Sequence, residues 1–262
     1  MLVTHKIAWD KCLSHQLMPA IEKGWKDEDK PIHFFWGLAG KNIHDITMCE
    51  AQGEEWWYVD NGYMTQQITR YPEPIIHDYD KTYFRICKGS IHTTKLKECD
   101  SKRLNTEFKG WRDSGDYVLL CPSSPTVSYH INGLSQEDWI KKVSEELSKH
   151  TDRPIKVRNK PRPGNKFWNT DIKDDLKNAW CVVTNMSLSA IDGILNMTPA
   201  FTHQRHVAFP VTSRDISKVE KPLKPGRKTI QEWLHMIANH QFTLKEIEDG
   251  TAYNCLKVQY EN

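Results

Sequence analysis

The chain has 262 residues, enough for one large domain or two smaller ones with cores of their own. Charged residues make up 27% and the hydrophobic set 38%, an ordinary globular composition, and no apolar run approaches the ~18–20 residues of a membrane span. The net charge of +2, from 36 basic and 34 acidic residues, gives no global nucleic-acid signature.

Residues 10–24 read as a helix, with Cys12, Leu13, Leu17, Ile21 and Trp25 near helical spacing and Gly24 as the stop. The run PIHFFWGLAG (31–40) reads as a buried strand ending in a glycine turn. NIHDITMCEAQG (42–53) follows as a helix closed by Gly53, and EWWYVDNGY (55–63) as a strand ending in an Asp-Asn-Gly turn. KTYFRICKGSIH (81–92) is ordered but of undecided type. The polar, poorly periodic stretch 93–115 reads as a connection, which divides the chain into lobes 1–115 and 116–262.

The second half alternates more cleanly. DYVLLCPSS (116–124) is a strand entering a Pro-Ser-Ser turn. SQEDWIKKVSEELSKHT (135–151) is a helix capped by Ser135, with Trp139, Val143 and Leu147 on one face. RPIKVRNK (153–160) is a strand, 170–179 a short helix, WCVVTN (180–185) a strand, 187–197 a helix and PAFTH (199–203) a strand. Such alternation is the signature of parallel βαβ units. Two helices with Thr caps, 229–240 and 243–252, end the pattern, and no internal repeat is visible.

His, Asp and Lys scattered through the first 25 residues do not read as a signal peptide, so the expected location is the cytoplasm. The seven cysteines are widely spread without a C-x-x-C pair, which indicates neither a disulfide framework nor a zinc site. Two stretches are locally basic, Arg153 to Lys166 without a single acid and Lys218 to Lys228. The ten tryptophans include Trp56, Trp57, Trp111 and Trp168 beside polar residues, where a ring can stack a sugar or base or simply fill the core.

An open α/β sheet binds ligands at the carboxyl ends of its strands. Three such ends in the second half carry polar residues: Ser123 and Ser124, then Arg158 and Lys160, then Asn185, Ser187 and Ser189 at a helix start. Helix N–H groups and dipole favour an anion there, and a diphosphate would suit the set. Ser187 taken alone reads more readily as a plain N-cap than as a phosphate ligand, and Arg158 alone as a solvated strand-end charge; their place on consecutive βα units is what favours the site.

The run TNMSLSAIDGILNMTPAF resembles the donor-binding helix of GT-B-type glycosyltransferases, in which a Ser or Thr turn precedes a small-residue helix and an acid-Ala-Leu-x-x-Gly-x-Pro pattern. RPIKVRNKP is similar to the strand of capsule-type glycosyltransferases that carries basic residues to the phosphates. The resemblance covers roughly residues 116–205. It implies an α/β fold of two Rossmann-like lobes with a cleft between them, and a nucleotide-sugar donor, UDP-glucose-like, as substrate with no tightly bound cofactor. It places Ser187 and Ser189 on the diphosphate, Asp192 near the ribose-binding acid, and Ser123, Ser124, Arg158, Lys160, Asn185 and His203 around the donor. The chain departs from the pattern in having Asp for the commoner Glu, Gly193 inside the helix, and no glycine before Pro199. The G-x-G-x-x-G and P-loop signatures are absent, and no D-x-D pair stands at a strand end, which points to a metal-independent or weakly metal-dependent transferase.

An inverting transfer needs a base for the acceptor hydroxyl. Asp60 is the candidate, with the alternative that it merely orders its own turn; His77, Asp78 and Asp80 are second choices. Asn61, Tyr63, Trp111 and Arg112 would hold the acceptor, and Arg205 and His206 lie beside His203. The plan also resembles that of phage DNA glucosyltransferases. That resemblance implies a hydroxymethylated pyrimidine in double-stranded DNA as acceptor, phosphate contacts from Lys95, Lys97, Lys102, Arg103, Lys109 and Arg112, and a monomer working in a host cytoplasm without a membrane partner. Competing readings are a capsule or lipid-linked saccharide transferase, a sugar-nucleotide epimerase, and a non-catalytic nucleic-acid- or saccharide-binding protein.

Overall fold

The computed structural model describes all residues except 7–12, 27–28, 65–81, 94–95, 98–105, 163, 169 and 262. The chain divides into two compact units, Met1–Leu104 with His235–Asn262, and Asn105–Leu234. His77, Asp78, Asp80, Lys95, Lys102 and Arg103 lie outside the described residues.

The first unit contains β1 (Leu2–His5), α1 (Ser14–Gly24), β2 (Ile32–Trp36), α2 (Asn42–Gln52), β3 (Glu55–Asn61) and β4 (Tyr83–Lys88). From the far end of the chain it takes β9 (Phe242–Thr243), α8 (Leu244–Glu248) and α9 (Thr251–Glu261). Its sheet runs β1-β2-β3-β4-β9, parallel across the first three strands and antiparallel at β4 and β9. Within the undecided segment 81–92, Tyr83–Lys88 is thus a strand, and it sets Arg85 directly opposite Asp60. Trp25 packs edge-on against Phe34, Trp57 and Tyr253, with ring centroids 4.8, 5.0 and 5.2 Å away.

The sequence reading grouped the last helices with the second half, but α8 packs on α1. Gly24, at the end of α1, lies so close to the Ile247 carbonyl that no side chain fits there. Thr243 and Glu246 form a capping box at the start of α8, which accounts for the expected Thr cap. β1 and β9 were not expected, because two- to four-residue strands leave little periodicity to read; α9 was missed although Ala252, Tyr253, Leu256 and Tyr260 recur at helical spacing and pack in the core.

The second unit contains β5 (Tyr117–Leu120), α3 (Pro125–Asn132), α4 (Gln136–Leu147), β6 (Ile155–Val157), α5 (Ile172–Leu176), β7 (Ala179–Val183), α6 (Ser189–Leu195) and β8 (Ala200–Phe201). A further helix, α7 (Arg227–Ala238), carries the chain on into the first unit's C-terminal segment. The sheet order is β6-β5-β7-β8 and every pairing is parallel. The chain is therefore a mixed α/β protein with parallel sheets. β5 and β7 are apolar on both faces because helices cover both, and Val118, Leu120, Cys181, Val183 and Phe201 share one core with Trp139 and Leu147 of α4. Among the described residues no helix is long and apolar enough to cross a membrane.

The stretch 181–203 explains two of its own departures. A Cβ on Gly193 would stand 2.9 Å from Val182 Cγ2, so glycine is what lets α6 lie close on β7. The position where the family pattern has glycine is Met197, whose φ is +64. It closes a Schellman turn: Thr198 N–H donates to Gly193 O at 2.8 Å and Met197 N–H to Ile194 O at 3.1 Å. The left-handed geometry is kept although the favoured residue is gone.

Candidate functional site

Strand order reverses between β5 and β7, since the chain leaves β5 toward β6 on one side and leaves β7 toward β8 on the other. Such a reversal opens a crevice beyond the carboxyl ends of the two strands, the usual ligand position in an open parallel sheet.

Asn185, two residues past β7, is 3% exposed. Its Oδ1 accepts from the N–H groups of Met186 at 2.9 Å and Ser123 at 3.3 Å, and from the Ser123 hydroxyl. Backbone donors on that side fix the orientation of the amide, leaving Nδ2 as its other edge, and Nδ2 has no hydrogen-bond partner. Ser123 Oγ also accepts from Met186 N–H at 3.1 Å, and Gln136 Nε2 donates to the Ser123 carbonyl. Ser123 and Asn185 together brace the two strand ends.

Ser189, 5% exposed, has an Oγ with no partner beyond a weak contact to the Cys121 thiol, which burial holds protonated by pushing its pKa up to about 12. Ser128 in α3 is fully buried with Oγ unpartnered, and Asn159 Oδ1, two residues past β6, is the fourth such atom. An unmade buried hydrogen bond costs about 1–3 kcal/mol, so a cluster of them calls for an explanation. Among the described residues of the second unit these four are all the buried side-chain atoms without a partner; Asn159 and Asn185 stand two residues past β6 and β7, Ser189 at the start of α6 and Ser128 inside α3. Nδ2 can only donate, and both hydroxyls can donate.

The helix starts differ in a related way. α4 and α5 are capped by Ser135 and Asp171, which accept from Asp138 N–H at 3.0 Å and Lys173 N–H at 2.9 Å. α3 and α6, which follow β5 and β7 directly, have no capping side chain, although Ser124 stands at the cap position of α3. Ser187 orders its own turn: its Oγ accepts from Ser189 N–H at 3.3 Å and its N–H donates to Thr184 Oγ1 at 3.1 Å. His206 secures that turn through a 3.0 Å bond from Nε2 to the Ser187 carbonyl.

His203 reaches the crevice through its backbone, donating to Asn185 O at 3.2 Å. Its Nδ1 accepts from Arg205 N–H at 3.2 Å, so the proton of the neutral ring sits on Nε2. Burial first, then Arg205, lowers its pKa and keeps the ring neutral. Asp192 is half-buried on α6, and Lys160 is exposed with its carbonyl accepting from Asn165 at 3.0 Å.

Several expected site residues have structural duties instead. Arg158 is 4% exposed; Nη1 pairs with Asp175 and reaches Thr170 Oγ1 at 3.1 Å, while Nη2 donates to Thr170 O at 3.0 Å. Arg112 donates to the carbonyls of Leu176 at 2.5 Å and Asn196 at 3.3 Å, which end α5 and α6. Those helix ends precede β7 and β8, so Arg112 sits at the edge of the sheet opposite the crevice. Trp111 Nε1 is bonded to Pro225 O at 2.8 Å. In the first unit Tyr63 is 4% exposed, and its hydroxyl meets Cys87 Sγ at 3.4 Å and accepts from Thr93 N–H at 2.9 Å.

Asp60 is heavily engaged. Its Oδ2 accepts from Tyr58 OH at 2.5 Å and Arg85 Nη2 at 3.0 Å, and Oδ1 accepts from Asn61 N–H at 2.7 Å. Arg85 is buried and donates from Nη1 to Asn61 O at 2.5 Å and from Nε to Ile91 O at 3.1 Å. Burial first, then Asp60, pushes the Tyr58 hydroxyl well above its usual pKa, which keeps it a donor to Asp60. A carboxylate serving a buried guanidinium is a weakened proton acceptor.

Sequence reasoning missed Ser128 and Asn159. The signal for Ser128 was present, since Ser124-Pro125 and Gly133 bracket α3 as cap, first position and left-handed stop.

No protein-family model and no curated protein matches the sequence. The structure is similar to that of Thermosulfurimonas dismutans KpsC, beta Kdo 2,7 transferase, at 10% identity and a TM-score of 0.47, over 97% of this chain and 99% of that one. A likeness at this level establishes neither family nor activity.

Proposed function

We propose that this protein is a glycosyltransferase of the two-lobed, GT-B type, and that the crevice past β5 and β7 holds the diphosphate of a nucleotide-sugar donor. The observation that carries the reading is the pair of buried donors without acceptors there, Asn185 Nδ2 and Ser189 Oγ. What such a site lacks is an acceptor-rich group, and a diphosphate supplies oxygens for both. The uncapped start of α3 and the Nε2–H of His203 add donors of the same kind. Arg158 acts in this reading as the buttress of the β6 end through Asp175, not as a phosphate ligand.

In the reaction the acceptor hydroxyl oxygen bonds to the anomeric carbon, the bond from that carbon to the diphosphate breaks, and a base takes the hydroxyl proton. Asp60, the base expected from the sequence, is weakened for that role by its bonds to Tyr58, Asn61 and Arg85. The finer reading, a UDP-glucose-like donor and a hydroxymethylated pyrimidine of DNA as acceptor, rests on the resemblance in the sequence and on exposed Lys97 and Lys109.

The test is thermal unfolding against a panel of nucleotides and nucleotide-sugars, because a ligand that binds only the folded state at 100 times its Kd adds about 2.7 kcal/mol. A rise in Tm with UDP or a UDP-sugar, lost in Ser189→Ala, supports the donor site. Incubation with hydroxymethylated DNA, a saccharide acceptor or no acceptor then separates the two transferases from an epimerase. No shift with any nucleotide removes the donor site and leaves a binding module.

A further inference from the structure

A second cluster lies in the first unit, away from any strand end used above. We propose that His33, Cys49 and Glu54 bind a divalent transition-metal ion of the zinc type. One ligand atom from each residue lies within 4.8 Å of the other two, and His33 Nε2 is 3.2 Å from Glu54 Oε2. Ligands held at the usual ~2.0–2.3 Å by a tetrahedral ion are roughly 3.3–3.5 Å apart, so the His33–Glu54 pair already has that spacing and Cys49 needs at most a small inward shift to complete the set.

The fold builds this arrangement from three elements. His33 is on β2 and Cys49 on the last turn of α2. Gly53, with φ +67, turns the chain back so that Glu54 N–H donates to Cys49 O at 2.9 Å and Gly53 N–H to Glu50 O at 3.3 Å. That Schellman turn is what brings the carboxylate beside the thiol.

Two further observations point to a ligand. His33 Nε2 is buried with no hydrogen-bond partner, since the nearby Glu54 oxygen is not aligned with it. Behind the same ring, His33 Nδ1 is 3.0 Å from His5 Nε2, and His5 Nδ1 is 3.6 Å from Asp45 Oδ2. Metal-ligating histidines carry such a backing group, which fixes the tautomer and leaves the other nitrogen's lone pair for the ion. One imidazole, one thiolate and one carboxylate neutralise a 2+ charge, and water takes the fourth position. On binding, the Cys49 proton is released to solvent. The cluster was invisible in the sequence because His33 lies 16 residues before Cys49, and Cys49 and Glu54, five residues apart, form no recognised ligand motif.

The test uses the full chain stripped with a chelator and titrated with Co2+, then Zn2+. One equivalent of Co2+ giving a thiolate-to-cobalt charge-transfer band, displaced by Zn2+ and absent in Cys49→Ala, is the expected result. His5→Phe, which removes only the backing group, should weaken Co2+ by about 10–100-fold. No band in the wild-type chain, or an equal band in Cys49→Ala, overturns the proposal. Should Cys49→Ala fail to fold by circular dichroism, Glu54→Gln at a half-buried side chain decides, and unchanged Co2+ affinity there overturns it as well.

Discussion

The end of β3 and the ends of β5 and β7 carry the same kinds of residue and treat them in opposite ways. At β3, Asp60 accepts hydrogen bonds from Tyr58, Asn61 and Arg85, and the orphan atom beside it is an acceptor, Asn61 Oδ1, with no unmet donor among the described side chains of that strand end. At β5 and β7, one side of Asn185 is saturated while its amide nitrogen and two serine hydroxyls are buried and unmet. A strand-end polar residue is therefore no indicator of a site in itself. The difference lies in whether the fold supplies the partner, because a protein that leaves buried donors unmatched loses stability unless something else matches them.

The contrast makes graded predictions. Asp60→Ala leaves Arg85 buried without its counter-ion and should destabilise the chain by about 3–5 kcal/mol in denaturant unfolding. A loss under 1 kcal/mol would mean that Asp60 is free for chemistry after all. Asn185→Ala breaks the brace between β5 and β7 and should cost about 1–3 kcal/mol, together with the nucleotide response. Ser189→Ala removes a hydroxyl the ligand-free fold does not use, so its stability should change by less than about 1 kcal/mol while any nucleotide-induced rise in Tm shrinks. A Ser189→Ala variant as damaged as Asn185→Ala would erase the distinction between the two regions.

Acidification compares the units through their histidines. Burial lowers the pKa of His240 in the first unit and of His203 in the second, so each binds its proton more readily unfolded than folded. Their contribution is full above the ordinary value of 6.5 and is lost as pH falls through the window below it. Tm should fall between about pH 6.5 and 5, with a shallower slope in His240→Gln than in His203→Gln, since His240 is the more buried ring. The smallest effect is expected at Met197, where Met197→Gly relieves a left-handed φ of +64 and should change stability by no more than about 1 kcal/mol, in the stabilising direction.

Much of the second unit was legible in the sequence. Apolar runs bounded by Ser, Asn and Gly mark β5 and β7, Ser135 marks the start of α4, and the Ser187–Pro199 stretch marks α6 and its Schellman exit. These are local signals: period, cap and turn chemistry act within a few residues. That Ser123 and Asn185 stand just past parallel strands was legible for the same reason, since such a residue has its place fixed by the strand.

What tertiary structure alone decided is which side chains are already answered. Arg158 meets Asp175, Arg112 meets the ends of α5 and α6, and Asp60 meets Arg85 from a strand 25 residues away in sequence. It also decided that α8 belongs on α1, and that His33, Cys49 and Glu54 converge. A side chain's charge and hydrogen-bonding capacity are written in its own letter, but its partner is chosen by packing between residues far apart in the chain. Whether a polar group is structure or site is settled by that partner.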